Sequence, residues 1–316
     1  MELAYGPVPS RRLGQSLGIN NVPPKTCTYA CVYCQLGTTA MAPTDLQSFH
    51  SPEAIENAVE RRIQAVRNAG ESIDYLTFVP DGEPTLDVSL GETIDRLGRF
   101  DVDIAVLTNG SLLWKPAVRD GLADVDWISV KVDAGTADVW RRIDRPHESL
   151  SFERVIQGIE SFAESFSGTL TTETMLVDGI NSDETRLRST ASLVADLSPD
   201  TAFLAVPTRP PAEDWVEPPP EQAVAMAYRI FEEHVDSVEY LIGAEGDTFA
   251  STGDAVADIL GVTAVHPMRK PALEKLLARD DAEWEVVEGL LGDGELMEIE
   301  YGGETFYMQP IARKPA

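Results

Sequence analysis

The first 245 or so residues alternate between short apolar stretches and longer amphipathic ones, and this alternation restricts the fold more than any other feature. Six apolar stretches have the length and composition of buried strands, at residues 16–20, 75–79, 104–108, 127–132, 170–177 and 203–206. Helical patterns lie between or after them, at 51–68, where Ser51 is a typical N-cap, and near 152–166, 183–197 and 220–234. Strands that alternate with helices form parallel sheets. The sequence therefore predicts an α/β fold built from six βα units.

The last seventy or so residues follow a different pattern, and the change falls near Gly246. Short helical patterns at 254–260, 270–279 and 282–291 precede two strand-like stretches at 296–301 and 305–310. Three helices followed by a hairpin resemble a winged helix. We therefore predict two domains, residues 1–245 and a small winged-helix-like domain of residues 246–316. Residues 240–242 lie just before this boundary, either as a seventh strand or as a link.

All three cysteines of the chain, Cys27, Cys31 and Cys34, lie within eight residues, directly after the first predicted strand. Three thiolates on one loop can bind three irons of a [4Fe–4S] cluster and leave the fourth iron open, whereas such clusters usually have four cysteine ligands. A structural zinc site needs four ligands, and the nearest histidine is His50. Disulfides need an even number of cysteines and an oxidising compartment. The C-x3-C-x2-C spacing therefore favours an iron–sulfur cluster.

This spacing, with Tyr33 directly before Cys34, resembles the cysteine motif of the radical SAM superfamily, whose members have an aromatic residue at that position. The family's Gly-Gly-Glu-Pro turn after the second strand matches residues 81–84, except that Asp81 replaces the first glycine. The resemblance implies a partial (β/α)6 TIM-type barrel. It also implies that the three cysteines hold a [4Fe–4S] cluster whose open iron binds S-adenosylmethionine (SAM), with Gly82 and Glu83 accepting the methionine ammonium and Tyr33 beside the adenine.

In this family the reduced cluster cleaves SAM to methionine and a 5′-deoxyadenosyl radical, which abstracts a hydrogen atom from the substrate. The resemblance therefore implies an enzyme with two cofactors, the [4Fe–4S] cluster and SAM. The reaction needs a strongly reducing electron, since cluster potentials reach down to roughly −700 mV. A ferredoxin or flavodoxin is the implied electron donor.

Further candidate site residues lie at the ends of predicted strands, where barrels of this kind place their functional residues. Thr108 and Asn109 end the third strand and could contact the ribose or the substrate, although an Asn-Gly pair is also a common turn. Ser129, Lys131 and Asp133 alternate onto one face of the fourth strand.

Charged side chains in a buried strand are costly unless they are paired or belong to a site. Lys131 and Asp133 are therefore candidate catalytic residues. If their face points into the barrel, Lys131 could also bind the SAM carboxylate and Ser129 the ribose. The alternative is an ion pair of Lys131 with Asp133 or with Glu173, which alternates inward on the fifth strand and is itself a cofactor-binding candidate. Other cationic residues could bind an anionic substrate or could be ordinary counter-ions on the acidic surface. We favour the second role for Arg11, Arg12, Arg209 and the cations of the predicted loop at 141–147.

The chain is strongly acidic, with 53 Asp and Glu against 25 Lys and Arg and a formal net charge of −28. The acids are spread along the whole chain, which favours a solvated surface adapted to high salt, because self-repulsion is screened there. We therefore predict the cytoplasmic protein of a halophile, and this charge does not exclude a nucleic-acid partner. The chain has no apolar stretch of the roughly 18 residues that a membrane span needs and no signal-peptide pattern at its start.

The opening residues 6–14 and the segment 23–26 resemble a group of radical SAM proteins loosely related to the wyosine tRNA-base synthases. Those synthases carry a second cluster on three further cysteines, which this chain lacks. Three functions stay open. The first is a radical SAM enzyme that acts on tRNA or a nucleotide, with the basic stretch 270–279 as a docking element for a polyanion. The second is a glycyl-radical enzyme activase, suggested by Lys131, and the third is a non-catalytic redox sensor with a DNA-binding winged helix. The turn at 80–86 disfavours the sensor.

Overall fold

The structure, a computed structural model, describes residues 2–37, 40–41, 44–242, 249, 251, 253–264 and 266–310. Its strands are β1 (Ala4–Ser10), β2 (Gly14–Ile19), β3 (Thr26–Cys27), β4 (Ala40–Met41), β5 (Tyr75–Phe78), β6 (Asp103–Thr108), β7 (Trp127–Lys131), β8 (Thr169–Met175), β9 (Thr201–Ala205), β10 (Val238–Leu241), β11 (Met268–Arg269), β12 (Met297–Tyr301) and β13 (Glu304–Met308). Its helices are α1 (Pro52–Asn68), α2 (Leu90–Leu97), α3 (Pro116–Gly121), α4 (Ala137–Ile143), α5 (Phe152–Ala163), α6 (Glu184–Asp196), α7 (Glu221–Glu232), α8 (Ala255–Thr263), α9 (Lys270–Arg279) and α10 (Glu285–Gly292), with 3₁₀ turns at Pro84–Leu86 and Gly98–Phe100.

The main sheet has the strand order β1-β2-β5-β6-β7-β8-β9-β10 and is parallel from β2 to β10. Helices follow each of these strands up to β9, so the six predicted βα units are present. The sheet curls into a half-barrel, which confirms the predicted partial TIM-type fold. Residues 240 and 241 belong to β10, a strand parallel to β9, and residue 242 follows its end, so this stretch is not only a link. All carboxyl ends of the parallel strands therefore lie at one edge.

Local sequence signals explain why the longest helix begins and ends where it does. The Ser51 side chain accepts a hydrogen bond from Ala54 N–H at 3.2 Å and caps α1, and Gly70 follows its end with a φ of +74°. One face of this helix is buried against the sheet, through Ile55, Val59, Ile63 and Val66.

Among the described residues, no helix combines the length and apolar character needed to cross a bilayer.

The C-terminal part contains α8, β11, α9, α10 and the β12–β13 hairpin, and β11 pairs antiparallel with β13. Its buried apolar side chains form a cluster of their own, which includes Ile259, Leu273, Val287 and Tyr307. The predicted boundary at Gly246 lies outside the described residues. The division at 245/246 and the name winged helix stay predictions.

Two ion pairs among the described residues join the C-terminal part to the barrel. Arg62 of α1 contacts the buried carboxylate of Asp258 on α8 at 2.8 Å, and its Nε donates to the Gly6 carbonyl. Arg279, at the end of the predicted basic helix, pairs with Glu71 of the barrel. Part of the positive charge of that helix is therefore used within the protein.

Candidate active site

A cavity of about 380 Å³ opens at the carboxyl-terminal edge of the parallel strands. Every candidate site residue named from the sequence except Asp133 lines it, namely Cys27, Cys31, Tyr33, Cys34, Gly82, Glu83, Thr108, Asn109, Ser129, Lys131 and Glu173. These residues come from the cysteine loop after β2 and from the ends of β5, β6, β7 and β8. The structure thus places cysteines, polar groups and charges around one space.

Backbone contacts join the cysteine loop to the turn after β5. Lys25 N–H donates to the Asp81 carbonyl at 2.5 Å, and Glu83 N–H donates to the Thr26 carbonyl at 2.9 Å. Between these two bonds, Gly82 lies so close to the loop that a Cβ atom there would approach the Thr26 carbonyl oxygen to 2.1 Å. The loop and the turn therefore form one rigid element that needs glycine at position 82.

The chemistry of the three cysteines fits a [4Fe–4S] cluster bound through three of its irons. Burial, with help from nearby acidic groups, raises the pKa of the Cys27 and Cys31 thiols. Asn109 Nδ2 donates to Cys27 Sγ at 3.5 Å, and Cys31 Sγ donates to Asp144 Oδ1 at 3.4 Å. The described part of the chain contains no three His, Cys, Asp or Glu side chains arranged to hold a single metal ion.

The carboxylate of Glu83 is held by four protein donors. It accepts from Thr85 N–H at 3.1 Å, Thr85 Oγ1 at 2.6 Å, Thr108 Oγ1 at 2.6 Å and Asn109 N–H at 2.8 Å, and its residue is 1% exposed. Burial raises the pKa of Glu83, and the four donors oppose this rise by stabilising the charged form. The side chain that was expected to accept a ligand ammonium thus ties its own turn to the end of β6.

Lys131 and Glu173 form the ion pair that the sequence left as an alternative, with Nζ and Oε1 2.7 Å apart. Arg12 binds the other oxygen of Glu173 and lies near the rings of Trp127 and Phe203, at 5.8 and 5.9 Å from their centroids. Burial by itself disfavours the charged forms of both Lys131 and Glu173. The two cations nevertheless lower the pKa of Glu173 to about 2, and the carboxylates of Glu173 and Asp133 raise the pKa of Lys131.

The position of Arg12 contradicts the prediction from the sequence, which favoured a counter-ion on the protein surface. The arginine is half-buried inside the barrel, and its partner lies 161 positions away in the chain. Sequence spacing carries no signal for such a pair. The available hint was its place shortly before the first predicted strand, whose end borders the site.

Asp133 is buried behind the cavity wall. Its carboxylate accepts from the Tyr33 hydroxyl and, at 2.6 Å, from Met175 N–H. Tyr33 also contacts Asp144 at 3.4 Å, and its ring lies 4.6 Å from Lys131 Nζ. The geometry therefore suits Asp133 for positioning Tyr33, and its catalytic role stays a prediction. The sequence analysis overlooked Asp144, since nothing in its surroundings at the end of α4 separates it from other acids.

The mouth of the cavity includes residues that the sequence analysis did not connect. Arg209, after β9, donates to Gln35 Oε1 at 2.5 Å and lies 3.2 Å from His266 Nε2. His266 follows α8, so the C-terminal part contributes directly to the cavity.

Comparisons with known proteins agree with this geometry. The family model described as the radical SAM superfamily matches residues 21–188, a stretch that includes the three cysteines, the Glu83 turn and Lys131. The chain belongs to the radical SAM superfamily. Across 313 residues it is 40% identical to a UPF0026 protein of Methanocaldococcus jannaschii, covering 98% of this chain and 97% of that protein.

More distant proteins match smaller shares of the chain. A probable GTP 3′,8-cyclase of Thermococcus kodakarensis is 28% identical over 159 residues, which cover 50% of this chain and 47% of that protein. A radical SAM methyltransferase from Sphaerobacter thermophilus has a TM-score of 0.53 at 17% identity, over 72% of this chain and 67% of that one. A structure of TYW1 with a lysine–pyruvate adduct gives a TM-score of 0.52 at 17% identity, over 70% and 74%. The two structural likenesses support the fold, and membership of the superfamily implies an enzyme that uses a [4Fe–4S] cluster and SAM.

Proposed function

We propose that this enzyme cleaves SAM reductively at a [4Fe–4S] cluster held by Cys27, Cys31 and Cys34, and that it acts on a nucleotide or on tRNA. The observation that carries the proposal is the convergence of these cysteines with the Gly82–Glu83 turn and Lys131 around one cavity. A reduced cluster held by these cysteines would supply the electron for reductive cleavage of SAM.

The neighbouring residues have roles that follow from their contacts. Glu83 fixes the turn, where Gly82 would present its backbone to the SAM ammonium, and also holds Thr108 and Asn109 in place. Asn109 stabilises the Cys27 sulfur by donating to it. Hydrogen bonds to charged acceptors contribute about 1.5–3 kcal/mol each, so these contacts matter most when the sulfur is ionised.

The remaining predicted cofactor contacts lie on the next two strands. Lys131 and Arg12 share one carboxylate, Glu173, and both cations line the cavity. Such a group suits the carboxylate of SAM. Ser129, buried on the same strand as Lys131 and lining the cavity, suits the ribose.

Two observations support a phosphate-bearing substrate. Part of the barrel resembles probable GTP 3′,8-cyclases, which by their name act on a nucleotide. Arg11, Arg209 and His266 line the cavity in a chain whose net charge is −28. Membership of an enzyme superfamily disfavours the non-catalytic regulator, and the glycyl-radical activase stays a prediction.

Anaerobic reconstitution with iron and sulfide tests the cofactor part of the proposal. The wild-type protein should hold about four irons per chain and form 5′-deoxyadenosine from SAM with dithionite as reductant. Cys27→Ala, Cys31→Ala and Cys34→Ala should each abolish this product, while Glu164→Ala, an exposed change on the outer surface, should retain it. Anaerobic purification of a protein that contains zinc and no iron would refute the cofactor assignment.

The substrate is tested separately. Nucleoside profiling of tRNA from a strain that lacks the gene should show a missing or accumulated base, or else the purified enzyme should consume a free nucleotide in the presence of SAM. A ferredoxin or flavodoxin from the cytoplasm is the proposed electron donor in the cell. Unchanged tRNA nucleosides together with no consumption of any nucleotide would exclude this substrate class and leave the SAM chemistry intact.

A further inference from the structure

The turn at Asn109 and Gly110, directly after β6, lies against the cysteine loop. Gly110 has a φ of +71°, and a Cβ atom there would approach Val130 to 2.9 Å and Ile159 to 3.0 Å, so the turn needs glycine. The backbone N–H of Asn109 is also held, because it donates to the buried Glu83 carboxylate at 2.8 Å. The Asn109 side chain therefore extends from a backbone that is fixed on both sides.

The contacts of the Asn109 amide determine which of its ends faces the cysteines. Ser111 N–H can only donate, and it lies 2.9 Å from Asn109 Oδ1, which places the amide oxygen on that side. The Nδ2 group then points the other way, where it lies 3.0 Å from Thr28 Oγ1 and 3.5 Å from Cys27 Sγ. Its two hydrogens correspond to these two acceptors. Thr28 Oγ1 also lies 2.7 Å from Ser111 Oγ, and both residues are fully buried, so the amide belongs to a closed network.

Opposing influences act on the Cys27 sulfur. Burial and the nearby Glu83 carboxylate disfavour negative charge on it, whereas the Tyr29 backbone N–H and the Asn109 amide donate hydrogen bonds that favour this charge. Tyr29 acts through its backbone, and Asn109 acts through its side chain. A substitution can therefore remove the Asn109 contribution and leave the other influences in place.

A donor to a cysteine ligand affects the two redox states of an iron–sulfur cluster unequally. Reduction adds negative charge that the ligand sulfurs share, and hydrogen bonds to these sulfurs are among the factors that set cluster potentials. We propose that Asn109 is a positioning residue that raises the reduction potential of the [4Fe–4S] cluster by donating to Cys27 Sγ. This inference rests on the proposed function, since it requires a cluster at the three cysteines. Because Asn109 also binds Glu83 through its backbone, one residue connects the SAM-binding turn to a cluster ligand.

A redox titration followed by the EPR signal of the reduced cluster tests this role, with the reconstituted full-length protein and no SAM. Asn109→Leu keeps the approximate size and removes the donor, and Asn109→Asp keeps the shape and Oδ1 but replaces the donor with a charged acceptor. At a fixed potential, the ratio of reduced to oxidised cluster should fall at least about threefold in the leucine variant and at least about tenfold in the aspartate variant. A tenfold change corresponds to about 59 mV for a one-electron couple.

Thr28→Val is the matched control. It removes the other acceptor of the same amide with little change of shape, and it leaves Asn109 Nδ2 and Cys27 Sγ in place. The ratio of reduced to oxidised cluster should change by less than about twofold in this variant. If the network only held the loop, Thr28→Val and Asn109→Leu would instead have similar effects. Iron content and urea unfolding of each variant report whether the loop still binds the cluster and whether the protein is folded.

Three results would overturn the proposal: unchanged potentials in both Asn109 variants, an equal shift in Thr28→Val, or loss of bound iron from both Asn109 variants. The third would show that Asn109 is needed to hold the loop and does not act on the sulfur. In all three cases the wild-type protein would still bind iron and cleave SAM, so the proposed function would stand. A wild-type protein that binds no iron would refute the proposed function and this inference with it.

Discussion

Replacing Glu83 with alanine should destabilise the whole protein, in addition to any effect on cofactor binding. The carboxylate is buried and accepts four hydrogen bonds from Thr85, Thr108 and Asn109 at 2.6–3.1 Å. Alanine removes every acceptor at once. The two threonine hydroxyls can rotate toward other acceptors, but the backbone N–H groups of Thr85 and Asn109 cannot.

The expected loss follows from these two backbone groups. A buried donor without a partner costs about 1–3 kcal/mol, so two of them cost about 2–6 kcal/mol. Removing a buried carboxylate, whose pKa burial raises, offsets part of that cost. We therefore expect Glu83→Ala to lower the free energy of unfolding by about 2–4 kcal/mol. Glu83→Gln keeps the size and one acceptor oxygen and should cost less, about 1–2 kcal/mol.

Urea unfolding of the cluster-free protein at pH 7 measures both variants by linear extrapolation. The matched control is Glu164→Ala, which removes an exposed carboxylate just after α5 and should stay within about 0.5 kcal/mol of the wild type. A loss below about 1 kcal/mol for Glu83→Ala, or equal losses for alanine and glutamine, would show that the four hydrogen bonds do not hold the turn.

Three further outcomes are expected from urea unfolding. Burial raises the pKa of Asp81 to about 7, so the folded protein keeps a proton that the unfolded chain releases near pH 4. The free energy of unfolding should therefore fall as the pH rises from about 4 to about 7. The Asp81→Asn variant should show a smaller fall over the same pH range. Glu173→Gln leaves Arg12 and Lys131 without their shared carboxylate and should cost about 3–5 kcal/mol at pH 7; a loss below about 1 kcal/mol would contradict the pairing. Raising salt from about 0.1 to 1 M shortens the Debye length from about 10 to 3 Å and should stabilise this chain of charge −28, whereas a loss of stability would contradict the high-salt interpretation.

Elements with local signals could be predicted from the sequence, and elements without them could not. Helix α9 has the predicted bounds, and α1 begins after Ser51 as expected, because caps and apolar spacing are local properties. Strand β1 was overlooked because it contains Gly6, Pro7 and Pro9, residues that a strand tolerates mainly at a sheet edge. Helix α4 was read as a loop, since its seven residues show too few turns for a periodic pattern.

The same distinction applies to the candidate site. The rule that functional residues follow parallel strands predicted which side chains meet at the cavity, because it depends only on the order of the strands. The pairings among those side chains depend on the curl of the sheet. Arg12 with Glu173 and Arg209 with His266 are separated by 161 and 57 positions, and no spacing rule connects them.

The close packing of the turn against the cysteine loop sets which substitutions these positions tolerate. At position 82 any side chain would collide with the Thr26 carbonyl oxygen, so the second glycine of the family motif is retained here. At position 81 the side chain of Asp81 lies at the wall of the candidate active site and not against the Thr26 carbonyl, so aspartate can replace the first glycine there. Adjacent positions in one motif thus differ in the substitutions that they accept, because a side chain at one would meet backbone and a side chain at the other meets the cavity wall.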